Sequence, residues 1–393
     1  MLLLLLSHLC PAQSAEPGRV WRIDDFEDRD LRSPSGLFWI PLADELVGGT
    51  SVATLDISTS GDAGSRGALK VTGRLSDGDR AFLAVWAPLA REGRPLDLSG
   101  FEGIRIRIRS SGRLMVGFRD TFINYMAPIE AGAGWRTVEV PFKSLEPIGR
   151  VPEGTRWHTD SQSWFGLSTP PAGPGEKTAA TDITFEIDDI ELFGKGDGPA
   201  EPPEVGPPGQ VAVFPFAPLG SIPLDGWVEL ATDPAGDANA PALPDATRLE
   251  VHQQQSDELI WFRMTLRETP HDRYMGVNVA VDLDGDRGNG QAWWGANKDF
   301  KFDRLLSVWC FRVEAGCMGT IGVADADRVA AGAMGGDGAT VRFAIDVARR
   351  AYVVGVPRKV LQLGSRPARV VGAVGSALLF GDDVPSKDAA ILR

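Results

Sequence analysis

Histidine, cysteine and tyrosine are scarce in this 393-residue chain, at 4, 3 and 3. Acid–base and nucleophilic catalysis most often recruit histidine, and His158, His252 and His271 sit in no Ser, Cys or metal-ligand motif. No GxSxG, HExxH, Walker or dinucleotide fingerprint occurs. The expectation is a protein that is not an enzyme. Lys and Arg form no run and the formal net charge is −13, which argues against nucleic acid or anionic membrane as the main partner, because both need a basic footprint. No apolar run approaches the ~20 residues that span a bilayer.

What is abundant points elsewhere. With 46 Gly, 28 Pro and 11 Trp, and 43% hydrophobic residues, the chain has material for real cores built from many short strands and turns. At roughly 100–200 residues per domain, two domains are expected. Residues 1–15 read as a signal peptide: Leu2 to Leu6 and Leu9 form a short apolar stretch, followed by small residues at Ala12, Ser14 and Ala15. The basic residue expected before that stretch is missing, which leaves two expectations: a true start upstream, or a weak signal. Export would place the mature chain outside the cytoplasm, secreted or periplasmic, with Cys310 and Cys317 as its only cysteines.

Residues 194–209 read GKGDGPAEPPEVGPPG, ten of sixteen being Gly or Pro, and are taken as a linker between residues 20–193 and 210–393. On both sides, apolar and polar residues alternate at period 2 in segments such as GIRIRIRS (103–110), RLMVGFRD (113–120), FEIDDIELF (185–193), ELIWFRMTLRE and RLLSVWCFRV. DVARRAYVV is the least clear segment. The expected fold class is all-β, with two tandem antiparallel β-sandwiches of jelly-roll type.

Several segments in order, DDFED (24–28), DELVGGTS (44–51), DLSGFEGIRIRIRSSGR (97–113), YMAPIEAGAGWRTVEVPFKSLEP (125–147) and FEIDDIEL (185–192), resemble the complex I intermediate-associated protein 30 family. The resemblance covers residues 20–193. It implies a galactose-binding-like jelly roll related to carbohydrate-binding modules, with no catalytic residues to carry over, and a family association with respiratory complex assembly. In such folds the first and last strands run close together, so Glu27, Asp188 and Asp189 could converge on a structural Ca2+, or could be solvated strand ends. Arg105, Arg107 and Arg109 share one face of a strand, where they could grip an acidic sugar or pair with acids on neighbouring strands. Tyr125, Trp157 and Trp164 lie in or near loop-rich sequence, as sugar-stacking rings or as core.

The passages ATDPAGDANAPALPDATRLEVHQQQSDELIWFRMTL, VNVAVDLDGDRGNGQAWWG and FDRLLSVW resemble the DOMON and family 9 carbohydrate-binding-module group, over 216–385. This implies a ligand-binding or heme-binding sandwich; no recognisable His or Met spacing supports heme. Asp282, Asp284 and Asp286 alternate on a Gly-rich loop with Asn289 close by, a pattern suited to Ca2+ if completed by an acid such as Asp303, or else a solvated turn. Trp293, Trp294, Asn297 and Lys298 follow at once and suit a sugar, against the alternative that one indole is core and the other packs under the loop. Cys310 and Cys317 flank RVEAG and could close a hairpin disulfide. The leading reading is an exported, non-catalytic carbohydrate-binding protein stiffened by calcium. An assembly or interaction factor with an extracytoplasmic protein partner is the alternative. The third is a divergent polysaccharide-degrading enzyme using pairs such as Asp188 with Asp189 or Asp299 with Asp303.

Overall fold

The computed structural model describes residues 18–392 except 60, 62–63, 121–122, 150, 152, 173–176, 198–202, 206–210, 239–242, 255–257, 287–288, 331–339, 365 and 377–379. The segment read as a signal peptide and most of the linker lie outside these residues. The ends of the linker are strand: Gly194 to Asp197 complete the long strand Thr181–Asp197, and Glu204–Val205 pairs with Leu96–Asp97.

The fold is nearly all β, and its paired strands run antiparallel. The first half builds two sheets. One orders Arg136–Pro141, Gly103–Ser110, Thr181–Asp197, Ala68–Leu75 and Val52–Ser58, with Gly18–Asp24 also on Thr181–Asp197. The other orders Glu146–Ile148, Asn124–Ile129, Leu114–Arg119, Trp164–Ser168, Leu83–Pro88 and Ile40–Ala43. Period 2 decides which side chains meet between the sheets. Ile104, Ile106 and Ile108 are fully buried there, with Val116 and Phe118 from the facing sheet. In FEIDDIELF the apolar spacing slips from two to three between Ile187 and Ile190. A β-bulge at Asp189 (φ +42°) absorbs the extra residue, so Phe185, Ile187, Ile190 and Leu192 all reach the core.

The second half repeats the scheme. One sheet orders Ala212–Phe214, Gly316–Asp325, Arg304–Val313, Tyr274–Asp282, Ala368–Gly375 and Phe380–Val384, with Ala390–Leu392 added on Ala368–Gly375. It faces Val228–Thr232, Ala246–His252, Leu259–Leu266, Ala351–Pro357 and Arg342–Asp346 across a core that includes Val277, Val279, Phe262 and Val354. DVARRAYVV resolves into two strands around a turn in which Arg350 has φ +51°. Cys310 and Cys317 form a disulfide across the hairpin that Glu314 and Ala315 close, with Cα atoms 5.7 Å apart. Gly319 stands opposite Cys310, where a Cβ would fall 2.8 Å from that of Cys310. Replacing both cysteines by serine should cost about 2 kcal/mol, the loop-closure value for so short a ring. Urea unfolding with equal midpoints for the two proteins would refute this. Among the described residues no helix is long and apolar enough to cross a membrane.

The two halves meet through a third apolar cluster. Phe38, Ile40, Leu42 and Trp86 on the outer face of the Ile40–Ala43 sheet pack with Met318 and Tyr274 of the second half. Ser376 Oγ donates to the Leu46 carbonyl at 2.7 Å, and Arg273 lies 3.5 Å from Glu45.

Candidate functional site: an indole-lined cleft at the junction

Strand parity sends Met115, Gly117 and Arg119 out of the first sandwich while Leu114, Val116 and Phe118 point in. On the neighbouring strand Trp164 is the register partner of Arg119, and on the next Trp86 is the partner of Gly166. Gly166 matters locally: a Cβ there would lie 2.3 Å from Cδ2 of Trp86, so only glycine lets that indole lie flat on the sheet. From the second half Trp309 and Thr320, themselves register partners, face the same space with Phe311 beside them. Together they line a cavity of ≈ 230 Å³. That is below the roughly 300–1,000 Å³ that encloses a drug-sized ligand, and suits one unit or the end of a longer chain.

Trp164 and Trp309 keep part of their faces open, and Trp309 Nε1 is fixed by donation to Asn278 Oδ1 at 3.0 Å. Burial lowers the pKa of Arg119, and Asp120 is its only opposing influence. Among the described residues no hydrogen bond or ion pair reaches its guanidinium. Its five N–H donors are therefore available to hydroxyl or carboxylate oxygens of a ligand whose apolar face stacks on indole. A larger cavity of ≈ 590 Å³ at the same junction, lined by Leu31, Phe38, Phe216 and Arg312, offers no indole face; Trp39 contributes to it but is buried.

Most residues singled out from the sequence lie elsewhere. The arginine ladder is a paired, solvated face. Arg105 donates to Glu139 at 2.8 Å, Arg107 to Thr137 at 2.8 Å, and Arg109 to both oxygens of Glu186 at 2.9 Å. These bonds tie each arginine to a neighbouring strand. Tyr125 is 1% exposed, and Trp157 packs among Phe118, Phe142 and Tyr125 with centroids 5.1–5.5 Å apart, so both belong to the end of the core. Trp164 alone of that group lines the cleft.

Trp293 and Trp294 stack on one another at 4.6 Å, and Trp293 is 3% exposed. Its Nε1 and the backbone N–H of Asn297 both donate to Asp383, while Lys298 Nζ donates to the Trp294 carbonyl at 3.2 Å. This cluster covers the outer face of the sheet, with the Trp293 ring in its small core and the Trp294 ring partly exposed beside it.

The acidic loop brings carboxylate oxygens of Asp282, Asp284 and Asp303 within 4.8 Å of one another. Asp286 and Asn289 instead brace Asp284, through a backbone N–H at 2.8 Å and Nδ2 at 3.0 Å. Arg369 pairs with Asp282 at 3.1 Å and already supplies one positive charge. Among the described residues, Glu27, Asp188 and Asp189 do not bring three carboxylate oxygens within 4.8 Å of one another. The oxygens of Glu27 take hydrogen bonds from Arg66 and Ser65, and the Arg66 side chain foremost holds its pKa down at about 2. Burial raises both Asp188 and Asp189.

Sequence reading missed Arg119, Trp86, Trp309 and Thr320. The available signal was a bulky aromatic at an outward position of an otherwise alternating strand.

Among curated protein sequences none matches this chain. A family 11 carbohydrate-binding module from Clostridium thermocellum, in complex with a β-1,3-1,4-mixed-linked tetrasaccharide, is similar at 16% identity and TM-score 0.35, covering 47% of this chain and 100% of its own. A β-1,2-glucanase from Parabacteroides distasonis is similar at 10% identity and TM-score 0.28, over 96% of this chain and 39% of its own. At such scores the fold assignment rests on this chain's own sheets. Residues 25–164, the segment that carries Trp86, Arg119 and Trp164, match the family model described as Complex I intermediate-associated protein 30.

Proposed function

We propose that this is an exported, non-catalytic protein that binds carbohydrate at the junction cleft. One sugar unit would stack between Trp164 and Trp309, with Arg119 on its hydroxyl or carboxylate oxygens. The observation that carries this reading is the conjunction of three indoles with a half-buried guanidinium that has no partner among the described residues. A cation of that kind is costly unless a ligand completes it. Affinity electrophoresis against neutral β-glucans and uronic-acid polymers tests it. Retardation by at least one polymer is expected, and mobility unchanged across the whole set would end the proposal.

Calcium belongs to the same reading, with Asp282, Asp284 and Asp303 as its ligands in the acidic loop. If so, Asp284→Asn lowers the number of calcium ions bound by one. The family description favours a second reading, an assembly or interaction factor whose partner protein inserts a side chain in the cleft. Co-purification of a protein complex without sugar dependence would select it.

A further inference from the structure

A second group of acids, remote in sequence, converges beside the last strands. Asp233 follows the strand Val228–Thr232, Asp237 sits in the turn after Gly236 (φ +98°), and Asp382 lies on Phe380–Val384. One carboxylate oxygen from each lies within 4.8 Å of the others. Oxygens bound to one Ca2+ at 2.3–2.6 Å can be at most about 5 Å apart, so the three fit a single coordination sphere.

Backbone amides hold these groups in place without satisfying them. Ser386 N donates to Asp233 Oδ1 at 2.8 Å, and Ala246 N and Asp383 N donate to the two oxygens of Asp382 at 2.9 Å each. Asp245, adjacent, accepts from Gly236 N at 2.5 Å. Asp233 is 9% exposed and Asp245 3%, yet among the described residues no hydrogen-bond partner reaches the buried Asp233 Oδ2 and Asp245 Oδ1. Among the described residues the one cation paired with this group is Arg267, 3.6 Å from Asp245 with its side chain 55% exposed. Four carboxylates against one solvated guanidinium is a charge imbalance that the Asp282 loop, with Arg369 buried against it, does not share.

We infer that Asp233, Asp237 and Asp382, supported by Asp245, form a calcium site that ties the turn after Val228–Thr232 to the strand Phe380–Val384. Oxygen-only donors select a hard cation, and a set drawn from a turn and separate strands suits the adaptable shell of Ca2+ better than the strict octahedron of Mg2+. The inference is independent of the sugar reading.

The test uses the full chain, stripped with EDTA and titrated with CaCl2, followed by calorimetric binding and by thermal midpoint. Calcium is expected to raise the wild-type midpoint by about 5 °C, since a ligand of the folded state alone stabilises it. Asp284→Asn, which removes a ligand of the separate loop, should leave binding at this site in place. Asp382→Asn should lower the number of calcium ions bound by one and remove this site's share of the shift, and Asp237→Asn, at an exposed position that tolerates change, should weaken calcium affinity here at least about tenfold. In EDTA, Asp237→Asn should melt no lower than wild type, because it removes a like charge. Absence of a wild-type response, an unchanged number of bound calcium ions in Asp382→Asn, or Asp237→Asn melting lower in EDTA with calcium affinity intact would each overturn the site.

Discussion

Trp164→Ala is expected to weaken glycan binding about thirtyfold, and Arg119→Met to weaken it as much while leaving the fold no less stable. A central aromatic hot spot is worth about 2 kcal/mol, and every 1.4 kcal/mol is tenfold in Kd. Truncating Trp164 also removes packing at the junction, so its effect alone would not separate binding from folding. Arg119 makes the separation. Its guanidinium is drawn from water and Asp120 is the only opposite charge acting on it, so methionine of similar length should hold or raise stability, by up to about 1 kcal/mol. Arg119→Lys should fail to restore binding, because a point charge lacks the planar fork that spans two oxygens. Calorimetric titration with the retarding polymer gives Kd, and urea unfolding gives stability. Wild-type Kd in both variants would remove the cleft from the binding account.

The second large effect is a pH dependence centred on Asp24. This carboxyl ends the strand Gly18–Asp24, accepts Trp39 Nε1 at 2.7 Å and the Phe26 amide at 3.1 Å, and so holds Phe26 at φ +52° in the core. Burial, outweighing those two donors, pushes its pKa from 3.8 up to about 6. The folded state therefore binds this proton more tightly than the unfolded chain. Its contribution is full below the unfolded pKa and is lost as pH rises through about 6. Two pKa units at 1.36 kcal/mol each give on the order of 3 kcal/mol. Asp24→Asn cannot titrate, so between pH 4 and pH 7.5 the stability difference should move by about 2 kcal/mol in favour of the variant. Parallel curves for the two proteins would show that Asp24 titrates normally.

The sandwich architecture was legible because its determinants are local. Alternation in GIRIRIRS assigns Ile104, Ile106 and Ile108 inward, and FEIDDIELF carries its bulge as a slipped period. The hairpin disulfide was legible for the same reason, a two-residue turn between cysteines seven positions apart. The cleft was not. Trp86 and Met126 occupy outward positions that look solvated in one strand and become buried only when the other half covers them. For Trp293 a polar neighbourhood in sequence left both a sugar face and a core position open, and gave no sign that Asp383, 90 residues on, takes its N–H. The Asp233 and Asp382 cluster spans 149 positions, and no spacing rule reaches that far.

The cleft has one wall from each half, and neither wall alone contains both indoles that face the ligand. If a glycan binds there, occupancy and closure are two readings of one equilibrium: the bound glycan tightens the seam, and whatever prises the seam apart lets the glycan go, by equal free energies. Tension along a polysaccharide, or a cut between residues 197 and 212 that frees one half from the other, would register as a change in grip.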